Sequence, residues 1–349
     1  MGNTINKTAW KIIIISIVIG ITCIFLAQPA TAIVLKIATL SPDGSFWMKK
    51  MWAGAEEVAR KTDRRVRFKF YPGGVMGDER AVMRKIRIGQ LHGGAITSGG
   101  LSKFFSDNQI YNLPIKFNSF DEVDYVRNRM DTIIVNGHRE GGFVTFGIAE
   151  GGFAYLMSKT PITTLDELRR TKVWIPDEDA MSLETARAFG ITPIPLSIAE
   201  VRTALQTGLI DTVTTSPIGA IALQWHTQIN YLTDTPLIYL YAVLAIDRKA
   251  FDKISPQDQQ IVNDVMRRVW KEIDRQNRQD NINAMQALRN QEIQFVKPAD
   301  PEQLEWKRTA SVVPRRMIES GALSRDIVIK LEKYLQDYRM KGPGPNEHS

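Results

Sequence analysis

Cysteine is almost missing from this chain: of 349 residues only Cys23 carries a thiol, and it lies inside an apolar run near the N-terminus. Beyond that run no disulfide framework, thiolate metal site or cysteine nucleophile is available. Histidine is scarce as well. His92, His138, His226 and His348 share no spacing suited to zinc, and no His-Glu-x-x-His pair occurs. Gly73-Gly74 and Gly93-Gly94 lie in turns, and neither opens a Gly-Lys-Ser/Thr run, so a phosphate loop is missing. No Gly-x-Ser-x-Gly elbow precedes a helix. These absences leave an enzyme unsupported and no cofactor or metal expected. Lys and Arg (45) outnumber Asp and Glu (38), but they are scattered and form no stripe, which argues against a nucleic-acid partner.

At the N-terminus, Lys7 and Lys11 precede an apolar stretch over residues 12–26, and Ala30-Thr31-Ala32 follows. That is the pattern of a secretory signal peptide over residues 1–32, since about 15 apolar residues fall short of the roughly 20 that span a bilayer. Gly20-Ile21-Thr22 before Cys23 does not resemble a lipobox, so a soluble periplasmic product is expected. With 44% apolar and 24% charged residues, the chain has globular composition and length for two domains.

Apolar periodicity gives a strand at 35–40 and a helix with Met51, Ala55, Val58 and Ala59 on one face. A strand follows in which Val66, Phe68 and Phe70 alternate with Arg67 and Lys69, then a helix from Asp78 burying Val82, Met83 and Ile86 and a strand at 95–97. The same β-α-β-α-β order recurs from Lys172 to Thr214, with helices stopped by Gly190 and Gly208. Thr164 with Glu167 and Ser197 with Glu200 fit capping boxes. Ser255-Pro256 opens a helix of about 30 residues, about 45 Å long, enough to run along both lobes. Helices at 302–320 and 324–339 finish the fold.

In open α/β sheets a ligand sits beyond the carboxyl ends of the strands, so two such lobes place the site in the cleft between them. The segments aimed there bring Phe46, Trp47, Phe153, Trp174, Trp225, Tyr239 and Tyr241, with Thr97, Ser98 and Thr215 as polar donors and Leu40 and Glu150 where two segments begin. Ligand pockets are mostly apolar with a few polar groups, which this set matches. Asp177, Glu178 and Asp179 would touch a cation or, more simply, be favoured by the dipole of the helix after them.

The order Lys36-Ile-Ala-Thr, Phe70-Tyr-Pro-Gly-Gly, Gly77-Asp78-Glu79-Arg80, Leu113-Pro114, Ile194-Pro195, Ala199-Glu200-Val201 and Ala204-Leu205-Gln206-Thr207-Gly208 resembles the solute receptors of TRAP transporters, the DctP family. The resemblance runs from about residue 34 to 338. It implies an α/β two-lobed periplasmic clamshell with linking strands and a long helix spanning both lobes. Lobe I would hold 33–151 and 241–282, with the long helix from about 256, and lobe II 152–240 and 283–349. It also implies hinge closure around a small organic solute and delivery to TRAP-type membrane subunits.

The chain departs from the family where ligand class is set. The family's clamp arginine, which grips a carboxylate with two parallel hydrogen bonds, aligns with Trp174 in Lys172-Val173-Trp174-Ile175-Pro176. A second basic position aligns with Ala154, and Asp211-Thr212-Val213-Thr214-Thr215 replaces a carboxamide-bearing stretch. These changes point to an apolar or amphipathic solute, and they resemble the branch associated with tetratricopeptide-repeat lipoproteins. The alternatives are a carboxylate receptor that recruits another cation, such as Arg80 or Arg202, and a sensory protein that presents its ligand.

Overall fold

A computed structural model describes residues 32–341; the expected signal segment up to Thr31, Cys23 included, lies outside the described residues. In chain order the strands are β1 (Ile33–Ala38), β2 (Val66–Tyr71), β3 (Gly93–Thr97), β4 (Phe143–Thr145), β5 (Ala149–Ser158), β6 (Trp174–Pro176), β7 (Ile194–Leu196), β8 (Thr212–Thr215), β9 (Tyr231–Thr233), β10 (Ile238–Asp247) and β11 (Gln294–Val296).

Nine of them form one sheet in the order β11-β9-β5-β10-β3-β1-β2, with β4 added on β10 and β8 on β5. β2, β1 and β3 run parallel, joined by the helices Phe46–Lys61 and Glu79–Arg87. The alternation read from β2 is observed, Val66, Phe68 and Phe70 being buried and Arg67 and Lys69 exposed. β5 and β10, ten residues each, pair antiparallel and carry the sheet from one half of the molecule to the other. β6 and β7 make a separate parallel pair, tied to β8 by a bridge between Val173 and Thr212.

Local chemistry sets the helix ends. Asp78 accepts from the Ala81 amide at 2.7 Å, and both capping boxes, Thr164 with Glu167 and Ser197 with Glu200, are formed. Gly190 and Gly208 end their helices at φ +71° and +74°, where a side chain would be strained. From its Ser255 cap the long helix Pro256–Asn290 runs 35 residues, about 53 Å at 1.5 Å per residue. Val262, Met266, Val269 and Ile273 pack on the first core with Leu35, Ile37 and Phe70, whereas Leu288 enters a core built around Trp174, Val213 and Trp225.

Two elements differ from expectation. The single helix expected at 302–320 is two, Asp300–Ala310 and Val313–Glu319, because Pro314 has no amide to give the preceding turn. A 21-residue helix not anticipated above, Phe120–Glu140, packs against the last helix, Arg325–Lys341. The C-terminal helices therefore touch both halves: Trp306 packs on Phe189, and Leu331 and Leu335 join the core that holds Val123 and Met130.

Candidate ligand-binding site

A cavity of about 660 Å³ opens between the two halves. Its first wall is the helix Glu79–Arg87, with Glu79, Arg80, Met83, Arg84 and Arg87, together with the turn from β3 through Thr97, Ser98 and Gly99 to Lys103. Arg80, Arg84 and Arg87 follow i, i+4, i+7 spacing and so share one helix face. All three are exposed. The second wall is β6, the turn Asp177-Glu178-Asp179 and the helix Ala180–Phe189. The deep end is apolar: Leu156, Leu168, Val173 and Phe189 line it and belong to a core of the second half.

Trp174 lines the cavity rather than filling it. Its indole Nε1 donates to the Leu196 carbonyl at 2.9 Å, and its ring meets Trp225 edge-on at 5.1 Å. Most polar groups of the first wall are already satisfied. The Glu79 carboxylate accepts from the Thr97 amide at 2.6 Å and its hydroxyl at 2.8 Å, and Ser98 donates to Asn112 at 2.6 Å. Asp179 caps its helix by accepting from the Ser182 amide at 2.6 Å and also accepts from Gln109 at 2.8 Å. Burial pushes the Glu79 and Asp179 carboxyls above the ordinary range, and the Asp179 charge adds to the shift of Glu79. Thr185 Oγ1, in contrast, is buried without a hydrogen-bond partner among the described residues. No group of three or more His, Cys, Asp or Glu suited to a metal occurs among them either.

A family model for bacterial extracellular solute-binding proteins, family 7 (DctP), matches residues 37–320. The chain belongs to the DctP family. As a family of extracellular solute-binding proteins, it places the chain's work outside the cytoplasmic membrane, and its relatives are binding proteins rather than enzymes. The chain is 22% identical over 321 residues to the C4-dicarboxylate-binding periplasmic protein DctP of Rhodobacter capsulatus, covering 88% of this chain and 94% of that one. It is 26% identical over 219 residues to a solute-binding protein of Verminephrobacter eiseniae, spanning 61% of this chain but only 64% of the relative's length. Among solved structures, the sugar acid binding protein DctPAm of Advenella mimigardefordensis in complex with galactonate superposes with a TM-score of 0.80 at 16% identity, covering 88% of this chain and 99% of that one. The two-lobed TRAP receptor fold is shared.

Of the residues expected at the site of this DctP-family chain, Thr97, Ser98, Trp174, Thr215 and Trp225 line the cavity. The others lie elsewhere, each for a physical reason. Leu40 faces a separate space of about 10 Å³. Phe46 and Trp47 begin a helix and pack on the first core, Trp47 edge-on to Trp270 at 5.2 Å with its Nε1 donating to Asn277 at 2.5 Å. Along β10 the two-residue period sends Ile238 and Leu240 to the cavity and turns Tyr239 and Tyr241 into the core. Tyr239 donates to Glu150, which is itself buried in an ion pair with Arg278 at 2.6 Å. Phe153 sits between Phe120, tilted to it at 4.8 Å, and Tyr239, edge-on to it at 5.8 Å. Ala154 is fully buried opposite Ile238 in the β5–β10 ladder. Arg202, offered as an alternative cation, is exposed on the helix Val201–Thr207 and does not line the cavity. Arg84, Arg87, Lys103, Thr185 and Phe189 were missed; the i, i+4, i+7 spacing of Arg80, Arg84 and Arg87 was the available signal for the first two.

Proposed function

We propose that this chain is the extracytoplasmic receptor of a TRAP-type transport system, that it captures an organic acid with a sizeable apolar body, and that it delivers this solute to membrane transporter subunits. The observation that carries the ligand class is the asymmetry of the cavity: Trp174, which the resemblance matches to the family's clamp arginine, lines the second wall, while the basic residues Arg80, Arg84, Arg87 and Lys103 all stand on the opposite wall. A carboxylate buried beside Trp174 without a cation would cost several kcal/mol. The same carboxylate against Arg84 and Arg87, which have no ion-pair partner among the described residues, would be charge-assisted. An apolar body reaching toward Leu156, Leu168 and Phe189 gains about 25 cal/mol per Å² covered, and Thr185 Oγ1 offers a hydroxyl on the way.

The named ligands of neighbours, galactonate and D-glucuronate among them, support an acid. Trp174 and the apolar deep end support a less hydrophilic one. The partner we propose is the membrane transporter itself. For the lobes we propose 33–151 with 241–282 and 152–240 with 283 onward, the last helix crossing back onto the first lobe.

Native mass spectrometry of the exported protein, followed by denaturation and identification of the released molecule, tests the ligand class. The expected result is a monocarboxylate with an aromatic or alkyl body, whose affinity falls roughly five- to tenfold in Arg84→Ala or Arg87→Ala. Release of a hexuronate, with no change in its affinity in those two variants, would overturn the reading.

A further inference from the structure

Three consecutive carboxylates of the second wall are each held by a different residue of the opposite half: two from the first wall, and Gln109 from the segment Ser106–Asn112 beside it. Asp177 pairs with Arg80 at 3.3 Å, Glu178 with Lys103 at 2.5 Å, and Asp179 accepts from Gln109 at 2.8 Å. Arg80 also lies 3.8 Å from Glu178. A helix-dipole role explains Asp179, whose carboxylate caps Ala180–Phe189, but it explains neither of the other two. Glu178 moreover sits at φ +61°, a conformation that non-glycine residues seldom adopt, and the turn keeps it there. The opposing backbone comes so close that a Cβ on Gly99 would fall on Asp179 Oδ2.

We propose that the turn Asp177-Glu178-Asp179 is an ionic catch that closes the cleft before any ligand arrives. Its strength, together with the ligand's own contacts, sets how slowly the solute leaves. The inference does not depend on which solute is bound. The Arg80–Asp177 and Lys103–Glu178 pairs are 40–68% exposed by side chain, so each is weak and screened by salt. Weak pairs suffice here because an open and a closed form of one protein differ by little free energy, and a contact present in only one of them shifts the population directly. Each pair is worth roughly a factor of two, and the two together roughly fourfold. The catch also bears on ligand entry: Arg80 and Lys103 are neutralised by it, whereas Arg84 and Arg87 stay free to meet an incoming anion.

The test is a distance measurement by double electron–electron resonance between spin labels at Glu56→Cys and Lys307→Cys in the exported chain. Ligand is removed by unfolding and refolding, and its absence is checked by native mass spectrometry. Gly99→Val serves as a steric wedge that marks the open distance. The expected result is a predominantly closed, ligand-free protein at 20 mM salt. Its closed-to-open ratio should fall roughly fourfold both at 1 M salt and in Asp177→Asn/Glu178→Gln. The charge swap Lys103→Glu/Glu178→Lys should keep Glu178's pairing with reversed sign, and so stay more closed than Glu178→Lys alone. The catch is overturned by any of three results: a ligand-free protein indistinguishable from the wedge at low salt, a neutral variant as closed as the parent, or a swap no more closed than its single-charge variant.

Discussion

At Trp174 one side chain does two jobs: it denies the cavity a cation and it roofs the core beneath β6. The indole is 5% exposed, packed on Trp225 and hydrogen-bonded to Leu196. Trp174→Phe keeps a ring but loses the indole hydrogen bond to the Leu196 carbonyl, which still accepts from the Asp177 amide at 3.3 Å, and should cost about 0.5–1.5 kcal/mol. Trp174→Ala opens a void continuous with the cavity and should cost about 3–5 kcal/mol. Urea unfolding at constant pH gives both values, and equal losses in the two variants would mean that the ring contributes no packing. His138 makes the second residue-scale prediction. Burial between Asn108 and Thr145 lowers its pKa from 6.5 to about 4. Because the unfolded chain then binds the proton more readily, the native state loses stability as pH falls from about 6.5 toward 4, by about 3 kcal/mol in all. The raised carboxyls Glu79, Asp179 and Glu150 act in the opposite sense, gaining stability as pH falls. The difference between His138→Gln and the parent, followed by thermal melts from pH 7 to 4.5, isolates the histidine. It should shrink steadily on acidification.

At the scale of elements, the linking strands are joined to two helices by buried charge. Glu150 on β5 pairs with Arg278 of the long helix, which also grips Asp124 on Phe120–Glu140 at 2.6 Å. Arg127 on that same helix pairs with Asp274 at 3.0 Å and donates to Tyr239 of β10, also at 3.0 Å. Removing one partner of such a pair leaves the other charge uncompensated, so Arg278→Met should destabilise by about 3–5 kcal/mol, and Glu150→Gln in the same chain should recover most of the loss. Burial already raises the Glu150 pKa while Arg278 opposes it. Without Arg278 the value rises further, so the single variant should lose more stability than the parent as pH rises above the ordinary carboxylate range. A urea double-mutant cycle at pH 5 and pH 8 measures both effects; strictly additive losses would show that the two side chains do not interact. None of this network could be read from the sequence, where Glu150 and Tyr239 stood out only as candidate ligand contacts. What could be read was local: the alternation in β2, the capping boxes, the stops at Gly190 and Gly208, and the Ser255-Pro256 start. What could not be read depended on three-dimensional placement. The phase of β10, which turns Tyr239 and Tyr241 inward and Ile238 and Leu240 toward the cavity, is set by pairing with β5, and the helix Phe120–Glu140 hides its apolar face among Asp, Glu and Arg.

At the scale of the molecule, the question is whether a two-lobed chain unfolds in one step or two. Multi-domain proteins commonly show separate transitions, each lobe having its own core. Here three features tie the halves together. The nine-stranded sheet passes through both on β5 and β10. The long helix packs its first half on one core and Leu288 on another. The C-terminal segment touches Phe189 through Trp306 and then returns, through Leu331 and Leu335, to the core of Phe120–Glu140. Neither lobe can lose its structure without exposing apolar surface of these shared elements, so calorimetry of the ligand-free protein should show a single transition whose calorimetric and van't Hoff enthalpies agree. Gly152 provides the perturbation that tests the coupling. It sits in β5 at φ +83°, and a Cβ there would come within 2.5 Å of the Asn281 amide on the long helix. Gly152→Ala should therefore strain strand and helix together. If the halves are coupled, the variant's whole transition moves down by several degrees and stays single; a new low-temperature shoulder, with the main peak unmoved, would mean that the second lobe melts alone and that the shared sheet does not bind the two into one cooperative unit.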